Sequence, residues 1–298
     1  MKVRPGRRSD LEAVAALIRA ADEAHGAPPD MAPEDVAGFW REIDPTKDVL
    51  LVEDESGLVG YVDVAPSSTD VHIDAYVHPS ARGSDVGRRL IEGAEEIARR
   101  QVDDKLPRRA TIVHEDDEGR QVLEAAGYAY ARSFYRMRIV LDERPPEPEW
   151  PDGIAVRGYV PGDDDRLMHE TLIEAFADSW EPRGHTLDEF VRFMAQDEQA
   201  VPAASFLAFA GDVPAGALFA KERFGTGWIQ SVGVRRPWRK AGLGRALLLQ
   251  TFGAFYDRGQ RSIGLGVDAE SPTGAPRLYE NAGMHVEIHY DLYEKRLT

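Results

Sequence analysis

Three landmarks recur along this chain at an almost constant spacing. Val77 and Val234 lie 157 residues apart, Gly87 and Gly244 the same 157, and Gly127 and Gly283 lie 156 apart. The order of inferred helices and strands around them repeats as well, so the sequence reads as an internal duplication. Two copies make two similar domains rather than a solenoid. A length of 298 residues suits two cores of about 150 residues each. Residues 142–152, Asp-Glu-Arg-Pro-Pro-Glu-Pro-Glu-Trp-Pro-Asp, are acidic and proline-rich, stiff and unable to form a core of their own. The expected division is therefore a domain over 1–141, a linker over 142–152 and a second domain over 153–298.

Each half carries the same local signals. In the first, a strand at Val3-Arg4-Pro5 precedes a Ser9-x-x-Glu12 capping box and a helical stripe of Leu11, Val14, Leu17 and Ile18. A helix follows near 33–43, then strands over 49–53, 58–64 and 71–77, a helix over 85–101, a strand over 110–114, a helix over 118–126 stopped by Gly127, and a strand over 130–141. The second half restarts with a strand over 154–157 and a helix over 165–177. It continues with a Thr186-x-x-Glu189 capped helix, strands over 205–210, 214–221 and 229–234, a long helix to Tyr256, a strand over 262–267, a helix ending at Gly283 and strands over 284–293. The expected fold class is α+β, two mixed α/β domains.

Composition narrows the function. The chain has 36 Lys and Arg against 52 Asp and Glu, a net charge of −16, which argues against a general nucleic-acid or membrane-surface binder. Residues 1–152 carry 20 basic against 32 acidic side chains (−12) and residues 153–298 carry 16 against 20 (−4), so the second half is nearer neutral. With no cysteine, disulfides, thiolate zinc sites and cysteine nucleophiles are excluded. No apolar run approaches the roughly 20 residues of a membrane helix and the start Met-Lys-Val-Arg-Pro-Gly has no signal-peptide form, so the expected location is the cytoplasm. His169, His185, His285 and His289 show no metal-ligand spacing, and no metal is expected.

The stretch from Ser231 to Leu249 carries the chemistry. A β-branched strand runs into the basic loop Arg235, Arg236, Arg239 and Lys240, and Gly242 and Gly244 mark the entry to a helix that also carries Arg245. Glycine there permits tight bends and close approach of a ligand, while unpaired N–H groups and the helix dipole favour an anion. This is a phosphate cradle, open at this level to a nucleotide or a coenzyme. The nucleotide case is the poorer one: no Gly-x-x-x-x-Gly-Lys-Ser/Thr occurs, and Leu247 stands where Gly-x-Gly-x-x-Gly needs a third small residue.

The loop Arg239-Lys240-Ala241-Gly242-Leu243-Gly244, with Leu278-Tyr279-Glu280-Asn281-Ala282-Gly283 downstream, resembles the Gln/Arg-x-x-Gly-x-Gly/Ala loop and Leu-Tyr-x-x-x-Gly helix end of the GNAT superfamily of acyl-CoA-dependent N-acyltransferases. The doubled arrangement, and Ala175-Phe176-Ala177-Asp178-Ser179-Trp180, are similar to the tandem-GNAT group that includes mycothiol synthase. The resemblance implies two tandem domains, each a twisted, mostly antiparallel sheet flanked by helices. It implies acetyl-CoA as co-substrate and transfer to a primary amine of a small molecule or peptide, by direct attack in a ternary complex in the second domain. Monomer and homodimer are both compatible with it. The backbone of Val232 and Val234 would pair with the pantetheine arm, and the N–H groups of Lys240, Ala241, Gly242, Leu243, Gly244 and Arg245 would hold the pyrophosphate. Arg239 would reach or rim the phosphates, Ser271 would make a polar contact to the coenzyme, and Tyr279 would protonate the departing thiolate. Glu222 is the first candidate for the base, with Asp268 and Asp178 in reserve. Trp238 either flanks the coenzyme or packs.

The first half departs from this pattern. Its loop reads Arg82-Gly83-Ser84-Asp85-Val86-Gly87, with a carboxylate where the second half has Gly242, and Leu123 stands at the position of Tyr279. It is expected to keep the fold without the activity. A non-catalytic acyl-CoA sensor is the alternative for the whole chain.

Overall fold

The computed structural model describes residues 1–41, 43–67, 69–101, 106–180, 186–223 and 225–296. Its contacts form two compact units, Met1–Phe134 with Ile288–Thr298, and Tyr135–Glu287.

The first unit runs β1 (Lys2–Pro5), α1 (Leu11–Ala24), α2 (Pro33–Phe39), α3 (Pro45–Asp48), β2 (Val49–Asp54), β3 (Gly57–Pro66), β4 (Val71–Val77), α4 (Val86–Gln101), β5 (Arg108–Val113), α5 (Asp117–Ala125) and the opening of β6 (Ala129–Val140). Its strands pair antiparallel from β1 to β4, but β4 and β5 are parallel and meet only from Val71↔Arg108 to Ile73↔Ala110. Helix α4 lays Val86, Leu90, Ile91, Ala94, Ile97 and Ala98 on one stripe against Val52, Val62 and Ile73. The expected Ser9–Glu12 capping box does not form. Ser9 lies inside a 3-10 turn over Arg8–Asp10 rather than at a helix start, and Asp10 accepts from the Arg7 N–H at 2.8 Å and pairs with Arg4 at 2.7 Å.

The second unit contains the rest of β6, β7 (Ile154–Gly158), α6 (Asp165–Ala175), α7 (Leu187–Phe190), β8 (Phe206–Ala210), β9 (Val213–Arg223), β10 (Thr226–Val234), α8 (Leu243–Asp257), β11 (Ser262–Asp268), α9 (Ala275–Asn281) and the start of β12 (His285–Lys295). Strands β7 to β10 are antiparallel, and β10 runs parallel to β11. One face packs on α8, buried nearly all round through Leu243, Leu247, Leu248, Phe252 and Phe255. The other face packs Leu207, Ala217 and Phe219 against Tyr159, Met168, Leu172 and Phe190. Thr186 and Glu189 form the expected capping box. Both units are thus mixed, mostly antiparallel sheets flanked by helices, and no described helix is long and apolar enough to cross a membrane.

Two boundaries differ from the expectation. Residues 288–295 belong to the first unit: β12 pairs antiparallel with β5 from Tyr290↔Val113 to Lys295↔Arg108, and the Arg109–Glu294 (3.0 Å) and Lys295–Glu95 (2.5 Å) ion pairs fix it there. The segment 142–152 is part of the second unit rather than a bare spacer. Trp150 packs on that unit's core, and Arg144 pairs with Asp257 at 2.7 Å.

Candidate active site

Strand β10 is the axis of the site. It pairs with β9 along its whole length, from Arg223↔Thr226 to Gly216↔Val234, but with β11 only at Gly227↔Ile263 and Trp228↔Gly264 among the described residues. Beyond Trp228 its second edge has no strand register, which leaves Val232 and Val234 on an open rail. Their side chains pack on the α8 cluster, whereas Gly233 faces α6.

The rail leads into the cradle. Arg236–Trp238 make one tight turn, Lys240 takes a left-handed conformation (φ 64°), and Gly242 (φ 89°) starts α8. No side chain caps this helix, and the N–H groups of Gly242, Leu243, Gly244 and Arg245 find no acceptor among the described residues. Four donors at the positive end of a fifteen-residue helix make an anion site, to which amide hydrogen bonds contribute more than the dipole. The two glycines have different causes. Gly242 needs its positive φ and has open space around it. A Cβ on Gly244 would lie 3.0 Å from Leu278, so that glycine lets α9 approach α8.

The basic side chains divide in the same way. Arg239, expected at the phosphates, donates to the Val234 carbonyl (3.0 Å), the Asp178 carboxylate (2.7 Å) and the Ala175 carbonyl (2.9 Å). Arg236 also pairs with Asp178, and Arg235 pairs with Glu174 at 2.5 Å. These three arginines clamp the loop to the C-terminal end of α6, so Arg239 is a structural brace. Asp178, a reserve base, is the other half of that brace; Arg236 and then Arg239 hold its carboxyl well below the usual carboxylate range. Lys240 and Arg245 are exposed, and neither pairs with a carboxylate among the described residues, which leaves them as the cations beside the free amides.

Tyr279 lies on α9 with 7% of its surface exposed, in the cluster of Leu243, Leu247 and Val267. Ser271 sits in the turn after β11, its hydroxyl 3.0 Å from that of Thr273, and Asp268 accepts from the Glu270 N–H in the same turn. Trp238 is partly buried and packs against the α8 core. Glu222 is not brought to the open edge. It stands opposite Gly227, where β10 and β11 are still closed, with its side chain 50% exposed and 3.7 Å from Arg258.

The first unit holds the same loop in a different chemical state. Gly83 (φ 75°) corresponds to Lys240 and Asp85 to Gly242. The Gly83 N–H donates to Glu118 at 2.7 Å, Arg82 pairs with Asp116 at 2.8 Å, and Asp85 pairs with Arg89 at 2.7 Å. His185 lies outside the described residues. His289 forms a cluster of possible metal ligands with His114 and Asp291, against the expectation from spacing. The two rings are stacked 4.0 Å apart at 11°, so their in-plane lone pairs do not converge on one ion, and His114 instead bonds Asp291 at 2.7 Å.

Sequence comparison adds an independent line. The model of the acetyltransferase (GNAT) domain matches residues 45–138, and that of the acetyltransferase (GNAT) family matches residues 167–284. The chain is 32% identical to a mycothiol acetyltransferase of Thermobispora bispora over 92% of each protein. It is 37% identical to a GCN5-related N-acetyltransferase from Sphaerobacter thermophilus of known structure, with a TM-score of 0.88 over 99% of this chain and 95% of that one. A tandem GNAT protein from the clavulanic acid biosynthesis pathway shares the fold at 17% identity, with a TM-score of 0.73 over 99% of this chain and 98% of that one.

Proposed function

The chain belongs to the GNAT family of acetyltransferases, and on that premise we propose that its second unit transfers the acetyl group of acetyl-CoA to a primary amine of a small molecule in a ternary complex. The observation that carries the reading is the uncapped, Gly242-led start of α8 at the end of a strand that has parted from its parallel neighbour. In this reading the free amides from Gly242 to Arg245 bind the pyrophosphate, with Lys240 and Arg245 adding charge. The open edge of Val232 and Val234 pairs with the pantetheine arm. Arg239 serves indirectly, by bracing the loop. Acetyl-CoA supplies an activated thioester: the neutral amine forms a C–N bond at its carbonyl carbon, the C–S bond breaks, the proton shed by the nitrogen passes to solvent, and the Tyr279 phenol protonates the departing thiolate and is reprotonated from solvent. The first unit keeps the fold as a scaffold, its loop amide engaged by Glu118.

The test is release of free CoA thiol over a panel of amines, the compound acetylated by the mycothiol acetyltransferases first among them. Amine-dependent release is expected, and Tyr279→Phe should lower kcat by about 100-fold or more at unchanged acetyl-CoA affinity. Binding of acetyl-CoA without turnover on any amine would favour an acyl-CoA sensor instead.

A further inference from the structure

The two copies differ in the layer that faces away from their long helix. In the first unit β3 and β4 turn Val62, Val64 and Ile73 toward α4, so Tyr61, Asp63, Asp74 and Tyr76 point to the other side. The register sets Tyr61 opposite Tyr76 and Asp63 opposite Asp74. With intervals of 156 along β3 and 157 along the end of β4, the matching pairs in the second unit are Ala217 with Gly233 and Phe219 with Ser231. There Ala217 and Phe219 belong to an apolar layer packed on α6, and Gly233 lets that helix close on the strand. The first unit has two carboxylates and two phenols where its copy builds a core.

Such a layer costs stability unless something answers its charge. Directly opposite residues of an antiparallel pair have Cβ atoms about 4.5–5.5 Å apart, close enough for like charges to repel. Asp63 is 6% exposed. One of its oxygens accepts from the Tyr61 hydroxyl, itself held by the Trp40 indole N–H at 3.0 Å, and the other has no donor among the described residues. The one basic side chain among the described residues that acts on these carboxylates is His72, which pairs with Asp74 at 3.2 Å and leaves Asp63 without an ion pair. Tyr76 stacks on Tyr61 with ring centroids 6.2 Å apart, and its hydroxyl makes no hydrogen bond among the described residues. Asp22 of α1 and Tyr290 of β12 also act on Tyr76 and add no positive charge. Solvent reaches this face at Asp74, whose side chain is 37% exposed.

The ligand atoms of His72, Asp63 and Asp74 do not gather within 4.8 Å of one another, which is too wide for one metal ion. An alkylammonium head fits better. It brings one positive charge and three N–H donors, and the open oxygens of Asp63 and Asp74 with the Tyr76 hydroxyl are three acceptors. The Tyr61 and Tyr76 rings offer the π faces that attract a cation. We propose that this face of the first unit is a binding site for a primary ammonium compound, with Asp63 and Asp74 as its anionic pair and Tyr76 as the third acceptor. Binding here requires neither acetyl-CoA nor the chemistry of the second unit.

The Trp40 indole N–H, bonded to the hydroxyl that caps Asp63, reports on the site in protein labelled with nitrogen-15, its resonance identified by its loss in Trp40→Phe. At pH 8, above the value of about 7 to which burial and then Asp74 raise the Asp63 carboxyl, propylammonium chloride should shift that resonance saturably. Sodium chloride and tetramethylammonium chloride at equal ionic strength should not, the latter carrying charge without N–H donors. Asp63→Asn should weaken the propylammonium titration at least about 10-fold, the loss expected for one charge-assisted hydrogen bond. Asp74→Ser, which carries over the side chain of Ser231 in the second copy, should do the same and serves if Asp63→Asn fails to fold. A Trp40 resonance that propylammonium leaves in place overturns the site. So does tetramethylammonium binding as well as propylammonium, or a titration unchanged in both variants.

Discussion

The Gly83 N–H donates to the Glu118 carboxylate at 2.7 Å, whereas the equivalent Lys240 N–H of the second unit has no acceptor among the described residues. The first unit thus carries its own anion in the cradle. Arg82 is spent on Asp116 and Glu118, and His25 lies 3.4 Å from Asp116. Beside these groups lies a cavity of about 70 Å³, lined by Arg82, Asp116 and Glu118 together with Ile73, Val77, Leu90 and Ile112. Calorimetry should find one acetyl-CoA per chain. The double change Asp85→Gly with Glu118→Ala removes both competing carboxylates and should create a weak second site. Two equivalent sites in the wild type would contradict the self-capping.

The converse change in the second unit is Gly242→Asp. Space around Gly242 is open, so the side chain fits, but a non-glycine residue at φ 89° is strained by about 1–2 kcal/mol. The carboxylate would also face the pyrophosphate. Acetyl-CoA affinity should fall by at least about 100-fold while the circular dichroism spectrum stays native. An affinity unchanged within error would remove the cradle from this position.

The alternation of strands and helices was legible because hydrophobic period and turn residues are local, and Gly127 and Gly283 do end their helices with positive φ. The pairing of β12 with β5 was not, since nothing in a strand's own residues names its partner. Arg239 illustrates a second limit. A basic loop beside a phosphate cradle reads as phosphate binding, yet the structure spends that arginine on Val234, five positions away, and on Asp178 and Ala175, 61 and 64 positions away. The register break of β10 between Ile229 and Ser231, at Gln230, left a faint trace, an interval of 156 from Gly60 to Gly216 but 157 from Val77 to Val234, that becomes interpretable only with the strand pairing.

Asp178 couples α6 to the cradle through Arg236 and Arg239. Its carboxyl is held low by these guanidiniums, so the brace is complete above the ordinary carboxylate range and is lost only as pH falls through the lowered value. Asp178→Asn should therefore raise the KM for acetyl-CoA about 10-fold at pH 7 with little change in kcat. An equal fall in kcat and kcat/KM would mean that Asp178 acts on the reaction itself.

A second pH dependence belongs to the first unit. Burial, and then the Asp74 carboxylate paired across from it, push the Asp63 carboxyl up to about 7, while Asp74 above all raises His72 to about 9. Both folded values lie above the unfolded ones, so both groups favour the folded state at low pH. The Asp63 contribution is lost as pH rises from about 4 through about 7, and the His72 contribution from about 6.5 through about 9. The thermal midpoint should therefore fall between pH 5 and pH 9, by an amount that solvent moderates, since 41% of the His72 side chain is exposed. Asp63→Asn should flatten the lower part of that curve; an identical profile in the variant would show that Asp63 titrates normally.

Gly233 shows how closely the rail is fitted to the rest of its unit. A Cβ there would lie 2.6 Å from the Cβ of Ala175 and 3.4 Å from Leu172, so Gly233→Ala must push α6 off β10. Overpacking of this kind costs about 1–3 kcal/mol, a fall in melting temperature of roughly 2–4 °C per kcal/mol in a domain of this size. The same displacement moves the Ala175 carbonyl that holds Arg239, so acetyl-CoA affinity should weaken alongside stability. The clash is between two named methyl positions, so Ala175→Gly in the Gly233→Ala background should restore both quantities. Recovery of stability without recovery of affinity would show that α6 supports the fold but not the cradle.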